Sequence, residues 1–146
     1  MDINKIKTSI IGIVGLIGSV AAHFLGGWNM ALQTLIIFMG IDYLTVLLVA
    51  GVFHKSEKSD TGALESRAGW KGLCRKGMTL LIVLVATQLD KVAGTDVIRN
   101  AVIIAYVVNE TISIIENAGL MGLPIPSIIR KALDLLSKQA EESEFE

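Results

Sequence analysis

The run from Met30 to Phe53 constrains this chain more than any other feature: apart from Asp42 and a few small polar residues it is continuously apolar. As a helix rising 1.5 Å per residue it would be about 36 Å long, enough to cross the ~30 Å hydrocarbon core of a bilayer. A helix of a water-soluble domain rarely stays apolar on every side for that length. A second run, Thr8 to Phe24, has no charged residue between Lys7 and His23 and approaches the same thickness. Apolar residues make up 52% of the chain, close to the half found in an ordinary soluble domain, so their arrangement decides the class and their abundance does not.

Gly26-Gly27-Trp28-Asn29 joins these two runs and is too short for anything but a tight turn. The runs therefore read as an antiparallel hairpin of spans over about 8–26 and 30–53. Gly15, Ser19, Ala22 and Gly26, spaced three and four apart, form a ridge of small residues that lets helices approach closely in lipid, within the hairpin first and between subunits second. Trp28 fits an interface, where its indole N–H stays wet. A competing reading of the first run is a signal peptide, with Met1 to Lys7 as its basic start and Ser19-Val20-Ala21 as a weak cleavage site.

Residues 54–76 are polar and of mixed charge, and read as a loop. Within it Leu64, Ala68 and Leu73 allow either a surface helix beside Trp70, a second interface anchor, or an ordinary connection. A third apolar stretch, 77–93, counts as a span if Lys91 snorkels, with a re-entrant segment as its competitor. A fourth covers 97–118. The glycines and prolines of Gly119 to Pro126 break it, an amphipathic helix is expected over 127–138, and residues 139–146 read as an acidic disordered tail. The fold class is an all-α membrane protein of three to four spans, four preferred, in a single membrane domain covering 1–136.

Lysine and arginine set the orientation. The 54–76 loop holds six of them, the N-terminus has Lys5 and Lys7, and the C-terminal segment has Arg130, Lys131 and Lys138. The Trp28 turn has none. Four spans with both termini in the cytoplasm satisfy the positive-inside bias at every connection.

The chemistry excluded is broad. A net charge of −1, with 13 basic and 14 acidic residues, gives no footprint for nucleic acid. Cys74 is the single cysteine, His23 and His54 stand alone, and no metal or cofactor motif or catalytic constellation occurs, so no enzyme is expected. The candidate residues are instead the polar ones inside spans. Asp42 is an intramembrane acid. Arg99, Tyr106, Asn109, Glu110, Ser113, Glu116 and Asn117 recur at three, four and seven along the fourth span and share a helix face. An ionisable group at a span's centre costs about 2.5–3.5 kcal/mol on insertion scales, and such groups mark function by default. One carboxylate needs only one partner, so Asp42 and Glu110 can simply bond across helices within one subunit, whereas a stripe this long suits a seam between subunits or the lining of a hole.

The order and spacing of several pieces resemble the phage lysis and toxin-secretion holin family, which includes phage holins of Gram-positive hosts and the clostridial toxin-export holin. The pieces are Gly26-Gly27-Trp28, Asp42-Tyr43, Gly69-Trp70-Lys71-Gly72-Leu73-Cys74-Arg75-Lys76, Asp90, Asn109-Glu110 with Ser113, Glu116-Asn117, and Gly122-Leu123-Pro124-Ile125-Pro126. The resemblance covers roughly residues 26–136. It implies a homo-oligomer in the lipid bilayer of the host cytoplasmic membrane, passage of an endolysin or a toxin as indirect cargo, and no cofactor. It stops at the tail: many holins end in basic residues, whereas this chain ends Glu141-Glu142-Ser143-Glu144-Phe145-Glu146. Two other classes compete. A small ion- or proton-coupled channel or transporter subunit would use Asp42 and Glu110 as its sites, although the similar halves of an inverted repeat are missing. A membrane adaptor would need a larger soluble region than 54–76 provides.

Overall fold

A computed structural model of the chain describes residues 2–58 and 60–143, with the backbone alone at Ala140 and Ser143. Five helices follow one another: α1 (Ile3–Phe24), α2 (Met30–Gly51), α3 (Ser66–Ala93), α4 (Val97–Leu120) and α5 (Ser127–Ser143). No strand occurs among the described residues. The first four are long and apolar enough to cross a membrane, which matches the preferred count.

Local chemistry sets the boundaries. Asn29 is the N-cap of α2, where its side-chain oxygen accepts from the Leu32 amide at 3.0 Å and satisfies one of the helix's orphan donors. The first turn of α4 is capped from outside the helix. Asp90, in the last turn of α3, accepts from the amides of Ile98 (3.0 Å) and Arg99 (2.7 Å) and from the Thr95 hydroxyl (2.6 Å). A carboxylate there also complements the positive end of the α4 dipole. At its other end α4 closes when the Leu123 amide bonds back to the Ala118 carbonyl, with Gly122 between them at φ +82°.

The centre of the bundle is α4, which packs on α2, α3 and α5, while α2 and α3 touch each other less. Leu32, Leu35 and Met39 of α2, Val83 of α3, and Ile103 and Val107 of α4 form the buried core. α5 folds back onto α4 after the Pro124–Pro126 turn, and none of its described side chains is buried.

Three expectations change. The first two spans do not pack as a hairpin: no residue of α1 is buried, and a Cβ placed on Gly12, Gly15 or Gly18 meets nothing within 4 Å. Gly15, Ser19 and Ala22 are therefore unused as a packing ridge within one chain, and Ser19 and Ala22 are exposed or nearly so. Lipid is as apolar as the leucines of α2, so nothing hydrophobic forces the two helices together, and the turn between them is held elsewhere, as described below. The third helix does not begin at 77. Residues 66–76 continue into it without a break, giving 28 residues and a length of about 42 Å, so its polar first third extends past the ~30 Å lipid core. Finally, α5 runs past 138 to Ser143. Glutamates such as Glu141 and Glu142 favour helix, so residues 139–143 are helical where a disordered tail was expected; 144–146 lie outside the described residues.

Candidate functional site

Three spanning helices each send one ionisable side chain to a single point. Lys76 Nζ of α3 donates to Asp42 Oδ2 of α2 at 2.8 Å and to Glu110 Oε2 of α4 at 2.6 Å. All three side chains are nearly enclosed, with 12% exposure for Lys76 and 8% for each acid. The second oxygen of Asp42 accepts from Asn117 Nδ2 at 3.2 Å, and the same amide nitrogen donates to Thr45 Oγ1 at 2.9 Å. These are the two ion pairs found among the described residues, and no enclosed side-chain polar atom there lacks a partner. An ammonium has three donors and no acceptor, so one lysine can serve two carboxylates at once. Desolvating these charges is costly, and only this pairing and its hydrogen bonds offset it.

The triad forms the floor of a cavity of about 460 Å³ between α2, α3, α4 and the loop that joins α2 to α3. Tyr43 makes one wall against Gly69 and Gly72: a Cβ on Gly69 would stand 3.5 Å from the Tyr43 hydroxyl, and one on Gly72 4.0 Å from its ring. The small residues flanking Trp70 and Lys71 thus leave room for the tyrosine that follows Asp42. Exposed Glu57, Lys58, Lys71 and Arg75 form the rim. A smaller cleft beside it brings Ser56, Glu57 and Lys58 of the loop next to Ser113, Glu116 and Asn117 of α4.

The polar face of the fourth span is therefore divided. Glu110 and Asn117 are buried in the triad network; Ser113 is partly buried at the cavity; Asn109 and Glu116 are exposed. Tyr106 packs against the apolar core. Arg99 is not brought to this site at all. It is buried near the opposite end of the bundle, where Nε donates to the Leu25 carbonyl at 2.5 Å and Nη2 to the Gly27 carbonyl at 2.9 Å. Gly26 lies between those carbonyls at φ +89°, and a Cβ there would stand 2.6 Å from Arg99 Nε. Gly26 thus serves a close approach to Arg99, away from the Gly15–Ala22 ridge. Trp28 and Trp70 are both exposed, the first in the α1–α2 turn and the second near the start of α3, at the other end of the bundle.

Sequence reasoning missed Lys76 and Asp90. In sequence Lys76 is one of six cations in the 54–76 loop, and neither it nor Asp90 stands out as a partner for a group in another span. The signal available was charge balance: two acids inside spans require a cation at matching depth, and Lys76 is the basic residue that directly precedes the third apolar run. Among the described residues no group of three or more metal-ligating side chains is gathered.

A family model described as the bacteriophage holin family matches residues 19–138. An uncharacterized 14.9 kDa protein of Clostridium perfringens is 34% identical over 94% of this chain and 96% of its own length. An uncharacterized protein of Halalkalibacterium halodurans is 39% identical over 80% of this chain and 85% of its own. A protein of Bacillus phage phi105 named "Probable holin" is 28% identical over 84% of this chain and 86% of its own. No solved structure matches. A multi-pass all-α chain matched to one family model along most of its length, with that phage relative beside it, belongs to the bacteriophage holin family.

Proposed function

We propose that this chain is a non-enzymatic holin whose copies gather in the cytoplasmic membrane, with both termini in the cytoplasm, and open a lesion through which an endolysin or a toxin passes. One observation carries this reading beyond family membership: α4 holds its acids in two different conditions. Glu110 is neutralised inside the protomer by Lys76, whereas Glu116 and Asn109 are exposed on a helix long enough to span lipid. A polar group facing hydrocarbon is costly, and association with other copies or contact with water relieves that cost. In this reading Asn109, Ser113 and Glu116 form the seam between subunits or flank the hole. Glu110, Asn117 and Asp42 form a closed network that stays within each protomer until the assembly opens.

The test is timed expression in a bacterium carrying a potential-sensitive dye. The wild-type chain is expected to give abrupt depolarisation after a fixed delay. Glu116→Gln is expected to shift that delay by changing the seam, and Glu110→Gln to shift it by loosening the triad. Unchanged delay and leak in both variants would remove α4 from the permeation path.

The cavity favours a second reading. Its lining includes Asp42, Lys76 and Glu110 together with loop residues Glu57 and Lys58, a set that the vestibule of a small ion- or proton-coupled channel could use. Such a channel gives graded, ion-dependent flux without killing the cell, and the same dye trace separates it from a lesion.

A further inference from the structure

The rim of the cavity carries cations beyond the one in the triad. Lys71 and Arg75 stand four residues apart on α3 and Lys58 joins them from the loop; all three line the cavity and are exposed. Both ion pairs among the described residues belong to Lys76, so none of these three cations is in one. Like charges at this helical spacing repel. A solvated basic face is the ordinary explanation for such residues, and it suits Arg67, which is one turn earlier and does not line this cavity. Lys58, Lys71 and Arg75 differ because they converge on a concavity between three spanning helices. Four basic and three acidic side chains line it in all, which leaves one positive charge.

The position of the cavity identifies the ligand that would supply the missing negative charge. Its lining includes Glu57 and Lys58 of the loop and Ala68, Gly69, Lys71 and Gly72 from the polar first third of α3, on either side of exposed Trp70. With α3 crossing the bilayer, a polar stretch preceding its apolar part would meet the headgroups, where an indole is a typical interface anchor. We propose that the rim binds the phosphodiester of an anionic glycerophospholipid from the adjoining leaflet. Lys58, Lys71 and Arg75 hold the phosphate. The carboxylates on the floor keep the anion at the rim. A single phosphodiester cancels the one unbalanced positive charge.

This binding does not depend on lesion formation, so the two fail separately. The full chain carrying Trp28→Phe, in which Trp70 is the remaining indole, is reconstituted in vesicles containing either brominated phosphatidylglycerol or brominated phosphatidylcholine. Phosphatidylglycerol is expected to quench Trp70 preferentially. Lys58→Gln, Lys71→Gln and Arg75→Gln should each lower that preference about fivefold, which is ~1 kcal/mol for one cation near a charged lipid. Lys58→Arg and Lys71→Arg should retain it. Lys55→Gln and Arg67→Gln, which remove the same charge outside the cavity, should leave most of it. Equal quenching by the two lipids, or equal losses in the outside controls, would overturn the proposal. So would displacement by millimolar glycerol 3-phosphate, because the site would then serve a dissolved anion.

Discussion

Removing the ammonium of Lys76 strands two carboxylates inside the bundle, and that asymmetry makes it the most informative residue to change. Breaking a buried ion pair by deleting one partner costs about 3–5 kcal/mol, whereas replacing the whole set by neutral groups of similar size is often harmless. Lys76→Met is therefore expected to destabilise the protein by about that amount in detergent, followed by thermal loss of helical circular dichroism. Adding Asp42→Asn and Glu110→Gln to Lys76→Met should restore most of it. If Lys76→Met alone melts like the wild type, the triad does not hold the bundle. At this scale the sequence was half legible. Asp42 and Glu110 stood out because charge inside an apolar run is conspicuous. Lys76 did not, because a basic residue at the edge of a polar stretch reads as a loop cation until the helix is known to begin at Ser66.

Among the elements, α1 behaves unlike the rest. None of its residues is buried, and its C-terminal end is fastened by the Arg99 guanidinium on the carbonyls of Leu25 and Gly27. A planar fork reaches two carbonyls where a lysine offers a point charge. Spin labels on α1 and α2 are expected to give a narrow distance distribution in the wild type and a broad one in Arg99→Gln, with Arg99→Lys failing to restore it. Gly26→Ala should broaden it as well, since its Cβ would displace Arg99 and its φ of +89° suits glycine. A narrow distribution in all variants would show that α1 is held by something other than this clamp. Element boundaries were most legible where an apolar run met glycine, proline or Asn29, as at the starts of α2 and α5, whereas the apolar run to Phe53 outlasts α2, which ends at Gly51. They were not legible at the start of α3, because a helix that leaves the lipid keeps its hydrogen bonds while its side chains turn polar. Nor did sequence tell that α1 and α2 would stay apart, since a short turn fixes proximity of ends and not of faces.

At the scale of the whole molecule, the proposed topology puts the α1–α2 turn and the α2–α3 loop, at opposite ends of α2, on opposite sides of the membrane. In a Cys74→Ser background, Glu57→Cys should react with a membrane-impermeant maleimide only after the cells are permeabilised, and Trp28→Cys before. The reverse pattern would invert the proposed orientation. Span number was legible from run length and the distribution of lysine and arginine, whereas assembly was not, because polar residues that satisfy one another within a protomer look the same in sequence as those that await a second copy.

The isolation of α1 bears on how a first encounter between two molecules would proceed. Joining through this helix would ask no span to give up a buried contact, since no residue of α1 is buried. Pairing would then be limited by lateral diffusion and crowding in the bilayer, so cluster formation should follow copies per unit membrane area rather than the rate of any internal rearrangement.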